Sequence, residues 1–253
     1  MRIIFLGDIY AQSGIEAVRR FLPRIKKDYP HDIIIANGEN VAGGLGITKM
    51  DYKALMQLGI KGITLGNHAF SKGELFEFID DANIVRAINY PSGTPGKTVL
   101  TINFNGTRVA IIQVMGRIFM GDPLNNPFEA LDAILPTIDS DYVVVDVHAE
   151  ATSEKLAIGY YLDGRVDAVV GTHTHVPTND AMRLPAGTLY QTDAGMCGVK
   201  HGILGASRET VLKKFTTGMP VRLKPEESSI LQLNGVVLDL KQSTIQTIRY
   251  TDE

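Results

Sequence analysis

Cysteine is almost missing from this chain. Cys197 is the only one in 253 residues, so an intramolecular disulfide is impossible and a zinc site built on thiolates is excluded. A reducing, cytoplasmic setting is the expectation, with Cys197 a small, semi-buried residue rather than a reactive thiol. Excess charge is missing too. The formal net charge is −3, whereas nonspecific nucleic-acid binding shows as a strongly basic face, so extended RNA or DNA binding is not expected. Long apolar runs are also absent. None approaches the roughly 18 residues of a membrane span. The opening MRIIFLGD is too short in its apolar part for a signal-peptide core. Neither an anchor nor an export signal is expected.

What is present suffices for a real core. Hydrophobic residues make up 44 %, in a length that suits one large α/β domain or two small ones. Ile3–Leu6, Ile33–Ala36 and Gly62–Leu65 read as buried strands, alternating with helical patterns. Helix starts are expected at Ser13 with Glu16, at Thr48 with Asp51, and at Ser71 with Glu74. Further on, Thr98–Phe104 and Thr107–Val114 flank Asn105-Gly106, a type I′ hairpin signal. Pro127–Leu135 and Ser153–Leu162 read as helices, Tyr142–Val147 and Val166–Val170 as strands. A second hairpin is expected around Asn234-Gly235, between Ser229–Leu233 and Val236–Leu240, and Gln242–Tyr250 alternates like a further strand. The expectation is an α/β fold with mixed sheets, a single domain over residues 1–253, and an irregular, cap-like segment near 187–220.

Polar residues follow the strands in a pattern. Asp8 follows the first strand. Asn37-Gly38-Glu39-Asn40 follows the second, and Gly66-Asn67-His68 the third. His148 ends Tyr142–Val147, and GTHTH, with His173 and His175, ends Val166–Val170. In open α/β sheets ligands bind at the carboxyl ends of strands, so parallel strands would bring all these groups to one rim. Carboxylates, amides and imidazoles without sulfur suit Mn²⁺, Fe or Zn²⁺. There are too many of them for one tetrahedral zinc, and about the right number for two ions sharing a carboxylate. At i and i+2, His173 and His175 can each reach a different ion. The plainer readings are a turn cap for Asp8, a turn residue for Asn67, and core or helix-entry histidines for His148 and His68. His201 and His31 read as surface, and Gly43-Gly44-Leu45-Gly46 as a flexible loop near the site.

GDIY, GENV, GNHAF, the His of VDVHAE, and GTHTH together resemble the ordered blocks of the calcineurin-like metallophosphoesterase superfamily. There are two departures. Tyr10 stands where that pattern has a histidine, and Glu39, with Asn40 beside it, replaces the bridging aspartate. Both resemble the YmdB-like branch of bacterial phosphodiesterases, and the likeness runs on into TDAGMCG. The resemblance implies a four-layer α-β-β-α sandwich of two mixed sheets and two divalent or mixed-valence ions, Fe or Mn before Zn. Asp8, Glu39, Asn40 and His175 would hold one ion; Glu39, Asn67, His148 and His173 would hold the other. His68 would be the general acid, protonating the leaving oxygen as a hydroxide held between the ions attacks phosphorus. The implied substrate is a small phosphodiester, a cyclic nucleotide, 2′,3′-cyclic phosphates among them. Alternatives are a phosphomonoesterase or nucleotidase on the same site, and a metal-containing regulatory protein that binds nucleotide or RNA. A zinc amidohydrolase would place a His-x-His near the first strand, which this chain lacks. The hairpin edges leave a homo-oligomer open.

Overall fold

The structure is a computed structural model that describes residues 1–252. Its first half alternates strand and helix: β1 (Arg2–Leu6), β2 (Asp8–Ile9), α1 (Ala11–Asp28), β3 (Ile33–Asn37), α2 (Lys49–Gln57), β4 (Gly62–Thr64) and β5 (Ile84–Val85). Then come β6 (Val99–Phe104), β7 (Thr107–Met115), α3 (Pro127–Ile134), β8 (Tyr142–His148), α4 (Thr152–Tyr161) and β9 (Ala168–Thr172). The last part holds β10 (Met182–Arg183), β11 (Leu189–Gln191), β12 (Met196–Val199), α5 (Arg208–Thr217), β13 (Leu231–Asp239) and β14 (Thr244–Thr251).

Two mixed sheets result. One runs β2-β12-β13-β1-β3-β4-β5, with β14 on β13; the other runs β10-β11-β9-β8-β7-β6. Their facing sides bury Ile3, Phe5, Ile33 and Ile35 against Val109, Ile111, Val144 and Val170. Outside the first sheet, α1 and α2 contribute Val18, Phe21, Leu22 and Leu55 to a second core. Outside the other, Leu131 of α3 and Ile158 of α4 cover Val145, Val147 and Val169. The layers are therefore helix, sheet, sheet, helix. Strands buried on both faces explain the unbroken apolar runs in the sequence. The parallel neighbours β1-β3-β4 and β7-β8-β9 carry their carboxyl ends to one rim.

The expected turn at Asn105-Gly106 forms, with both residues at positive φ (51° and 85°). Thr48 and Asp51 form the expected capping box at the head of α2. Elsewhere the structure departs from expectation. The Asn234-Gly235 hairpin does not exist: both residues lie inside the continuous strand β13. Asn234 Nδ2 donates to Met196 O at 2.7 Å. Gly235 sits opposite Leu6, and a Cβ there would stand 2.5 Å from Phe5 O. The glycine serves strand approach, and the real turn follows Asp239, whose carboxylate accepts from Gln242 N. Helix α1 starts at Ala11, before Ser13, whose hydroxyl donates back to Tyr10 O. The helix expected from Ser71 is instead two 3-10 turns, Ala69–Ser71 and Gly73–Glu77. Glu74 there accepts from Lys49 N rather than from its own turn. The short helix expected near Arg208–Phe215 forms as α5, but the 187–220 stretch is not otherwise an irregular cap: β11 and β12 lie in it, one in each sheet. Cys197 is fully buried in β12, and burial pushes its thiol up to about 12. Among the described residues, no helix is long and apolar enough to cross a membrane.

Replacing Gly235 by alanine is expected to cost about 1–3 kcal/mol through overpacking against β1. Urea denaturation of the purified variant checks this; an unchanged midpoint would contradict the close approach.

Candidate metal centre

The seven residues expected as metal ligands and His68 meet in one network. Asn40 Nδ2 faces Asp8 Oδ1 at 3.3 Å, Glu39 Oε1 at 3.1 Å and His175 Nε2 at 3.1 Å. Glu39 Oε1 lies 3.1 Å from His148 Nε2. His148 Nε2 in turn meets Asn67 Oδ1 at 3.0 Å and His173 Nδ1 at 3.1 Å. His68 joins through its backbone N–H, which donates to Glu39 Oε2 at 2.9 Å, and through Nδ1, 2.7 Å from Asn40 Oδ1. Asp8 and Glu39 are only 0 % and 1 % exposed. Gly66 permits this crowding, because a Cβ there would collide with Glu39 and His148. The 43–46 loop hangs on the cluster, with Gly44 N donating to Asn40 O.

The outward nitrogens of His148, His173 and His175 are engaged, which sets the tautomer of each neutral ring. Thr172 Oγ1 gives its proton to Asp146 Oδ1 at 2.7 Å, so it accepts from His148 Nδ1–H at 2.8 Å. His175 Nδ1–H donates to Leu204 O at 2.9 Å. His173 Nε2 lies 3.1 Å from the Glu150 carboxylate. In the neutral form of each of these rings the remaining nitrogen turns its lone pair to the cluster. This is how outer partners orient metal-binding histidines.

The donor set fits a cation. His148 Nε2 faces a carboxylate oxygen, an amide oxygen and an imidazole nitrogen at once, and one proton can satisfy only one of them. Glu39, His148 and His173 bring ligand atoms within 4.8 Å of one another. The electrostatics agree. Burial pulls the Glu39 carboxyl up, but His148 and His68 outweigh it and hold it well below the usual range. Burial also raises Asp8, yet His175 and His148 bring it down. Burial pulls His148 down, and Glu39 and Asp8 overturn this, pushing it up to about 9. Burial and the neighbouring His148 hold His173 at about 4. The pocket draws in positive charge, and a proton on His148 supplies only one unit of it.

Asn40 sits differently from the other expected ligands. Its oxygen is turned to His68, and its nitrogen to Asp8 and His175. Only a half-turn of the amide would present oxygen to an ion. The structure also brings in residues that the strand-end pattern did not single out: Asp146 and Thr172 behind His148, and Glu150 beside His173. Asp146 had a signal, a carboxylate inside the apolar run YVVVDVH, two residues before His148 and so on its face of the strand.

This sandwich, with its cluster where the strand ends of two sheets meet, is that of the calcineurin-like metallophosphoesterases, hydrolases that act on phosphoester bonds with divalent metal ions. A narrower match places it within that class: the family model of YmdB-like proteins fits residues 4–251, and the chain belongs to that family. It is 46 % identical over 252 residues to the 2′,3′-cyclic-nucleotide 2′-phosphodiesterase of Bacillus subtilis (strain 168), covering 98 % of this chain and 95 % of the relative. A crystal structure of a hypothetical protein from Thermus thermophilus superposes with a TM-score of 0.94 at 45 % identity, covering 100 % of both chains. A crystal structure described as a novel phosphatase from Mycoplasma pneumoniae gives 0.92 at 33 % identity, covering 99 % of this chain and 93 % of the other.

Glu39→Gln keeps the shape and removes the charge at the centre of the network. Elemental analysis after Mn²⁺ loading is expected to show loss of bound metal, with far-ultraviolet circular dichroism unchanged. Full metal content in this variant would contradict the site.

Proposed function

We propose that this chain is a two-metal phosphodiesterase that hydrolyses cyclic nucleotides, 2′,3′-cyclic nucleotides in particular. The observation that carries this is the position of Glu39. Its carboxylate touches His148 of one donor group and Asn40, beside Asp8 and His175, of the other. On this reading Asp8, Glu39, Asn40 and His175 hold one ion, with the Asn40 amide turned. Glu39, Asn67, His148 and His173 hold the second. Oxygen and imidazole donors suit iron or manganese, with zinc also accommodated. The substrate class is supported by the Bacillus subtilis relative, whose name specifies it. The site draws on both sheets, which supports reading the chain as a single domain, and a lone buried thiol suits a cytoplasmic setting.

Two ions held there would supply a nucleophile from water at neutral pH and charge to neutralise the phosphoryl oxygens. The protein's own residues do the rest. His68 is the general acid. Its side chain is 34 % exposed, against 1 % for Glu39, so substrate can reach it from solvent above the buried carboxylate. Its Nδ1 lies 2.7 Å from Asn40 Oδ1; with the amide turned toward the ion, Asn40 Nδ2–H would donate to Nδ1 and the ring proton would sit on Nε2. Among the described residues Nε2 has no partner, so it is the nitrogen free to hand a proton to the departing ribose oxygen. Asn40 therefore orients the acid, and Glu39, through the backbone N–H of His68, fixes its distance from the cluster. A diester carries one negative charge, which needs less neutralisation than a monoester's two.

His68→Ala is expected to lower turnover about 10²–10⁴-fold with metal content retained; metal lost along with activity would make His68 a ligand or a support. Metal-stripped protein reloaded with Mn²⁺ or Fe²⁺ should cleave bis-p-nitrophenyl phosphate in preference to p-nitrophenyl phosphate, and then 2′,3′-cyclic nucleotides. Preference for the monoester would establish the phosphomonoesterase reading instead. Nucleotide or RNA binding without metal-dependent turnover would establish the regulatory one.

A further inference from the structure

Asp193 lies in the TDAG stretch between β11 and β12, outside the set of metal-facing donors, and is fully buried. Its Oδ2 accepts from Lys155 Nζ at 2.7 Å, Thr174 Oγ1 at 2.8 Å and Thr174 N at 3.0 Å. Its Oδ1 accepts from Gly195 N at 2.8 Å. Lys155, on α4, is also fully buried. A buried ion pair is weak evidence for stability, and what this one grips is the residue between His173 and His175.

Geometry shows why that residue needs gripping. In an extended strand, residues i and i+2 point to the same side, and the two histidines would crowd one place. Here His173 and His175 both take positive φ, 98° and 65°, a region that L residues rarely adopt. The chain therefore twists across Thr174. His173 Nδ1 turns to His148, while His175 Nε2 turns to Asp8, 3.5 Å from its Oδ1. The same short segment ties the neighbouring parts together. Ala194 N donates to Gly171 O at the end of β9, and Asp8 N donates to Gly195 O.

We propose that Asp193, fixed by Lys155, is a positioning residue for the metal centre: it acts through both donors of Thr174 to hold His173 and His175 apart, each toward its own ion. This rests on reading the cluster as a two-ion centre. Lys155 supplies the charge that lets a carboxylate sit there without water.

The test is calorimetric titration of Mn²⁺ into the metal-stripped full chain, with circular dichroism as the check on folding. Thr174→Val removes the hydroxyl donor at nearly constant volume and leaves the backbone bond. It is expected to stay folded and to bind Mn²⁺ about 10- to 100-fold more weakly, the range seen when outer partners of metal ligands are removed. Thr174→Ser, which keeps the hydroxyl, should retain wild-type affinity. Asp193→Asn should bind more weakly than Thr174→Val; if it fails to fold, Thr174→Val decides. At saturating Mn²⁺, turnover of bis-p-nitrophenyl phosphate by Thr174→Val should fall in kcat, with KM little changed. Folded Thr174→Val taking up two Mn²⁺ with wild-type affinity would overturn the positioning role alone. A wild-type chain that takes up no Mn²⁺ would overturn the two-ion centre, and the positioning role with it.

Discussion

Two buried carboxylates, Asp8 and Glu39, joined by the amide of Asn40, are the constraint on which this structure turns. Removing a carboxylate from water costs several kcal/mol even after relaxation, so a pair of them demands compensation from whatever faces them. The fold answers by docking one sheet on another. The first sheet brings oxygen and amide donors at the ends of β1, β3 and β4: Asp8, Glu39, Asn40 and Asn67. The second brings imidazoles at the ends of β8 and β9: His148, His173 and His175. Neither rim is a site alone. The apolar layer between the sheets, with Phe5 and Ile35 against Val144 and Val170, therefore also determines how far the carboxylates stand from the histidines.

Such a junction needs stiffness where ordinary strands and helices would relax. Positive φ at Ala11, His173 and His175 costs of order 1–3 kcal/mol at each residue. Each is held by bonds from outside its own element. Ala11 N donates to Asn40 O, His173 N to Asp8 Oδ2, and His175 Nδ1 to Leu204 O. Strain sits next to the cluster because there the backbone serves ligand direction rather than its own preferred geometry.

The parts of this arrangement that were legible in the sequence are those with local signals. A buried parallel strand is a run of apolar residues, and the residues just past its end form the rim. Asp8, Glu39, Asn67, His148, His173 and His175 could therefore be gathered from the sequence alone. The Thr48–Asp51 capping box was legible for the same reason. Asn234-Gly235 misled, because the dipeptide that favours a tight turn also suits a strand where an amide must reach Met196 and a carbonyl must come close. Ser71 and Glu74 misled because Glu74 is claimed by Lys49, 25 residues earlier in the chain. Lys155 and Asp193 carried no local signal: a lysine on a helix reads as solvated until the fold places a carboxylate 38 residues away against it.

Tyr10 is the departure from the superfamily pattern that most changes the chemistry. Its ring stands edge-on to His175 at 5.7 Å. A Cβ on Gly44 or Gly205 would run into it, so it fills the space between the 43–46 loop and the loop that carries Leu204. It thus supports His175 from the side while Leu204 O holds its far nitrogen. An imidazole at position 10 would have offered this half of the cluster a second nitrogen. Without it, the proposed donors on this side are Asp8, Glu39 and Asn40, with His175 alone contributing nitrogen. A set so rich in oxygen and poor in nitrogen shifts preference toward harder ions. The exchange of one imidazole for an aromatic wedge and a neighbouring amide is thus in keeping with the iron or manganese proposed for this side.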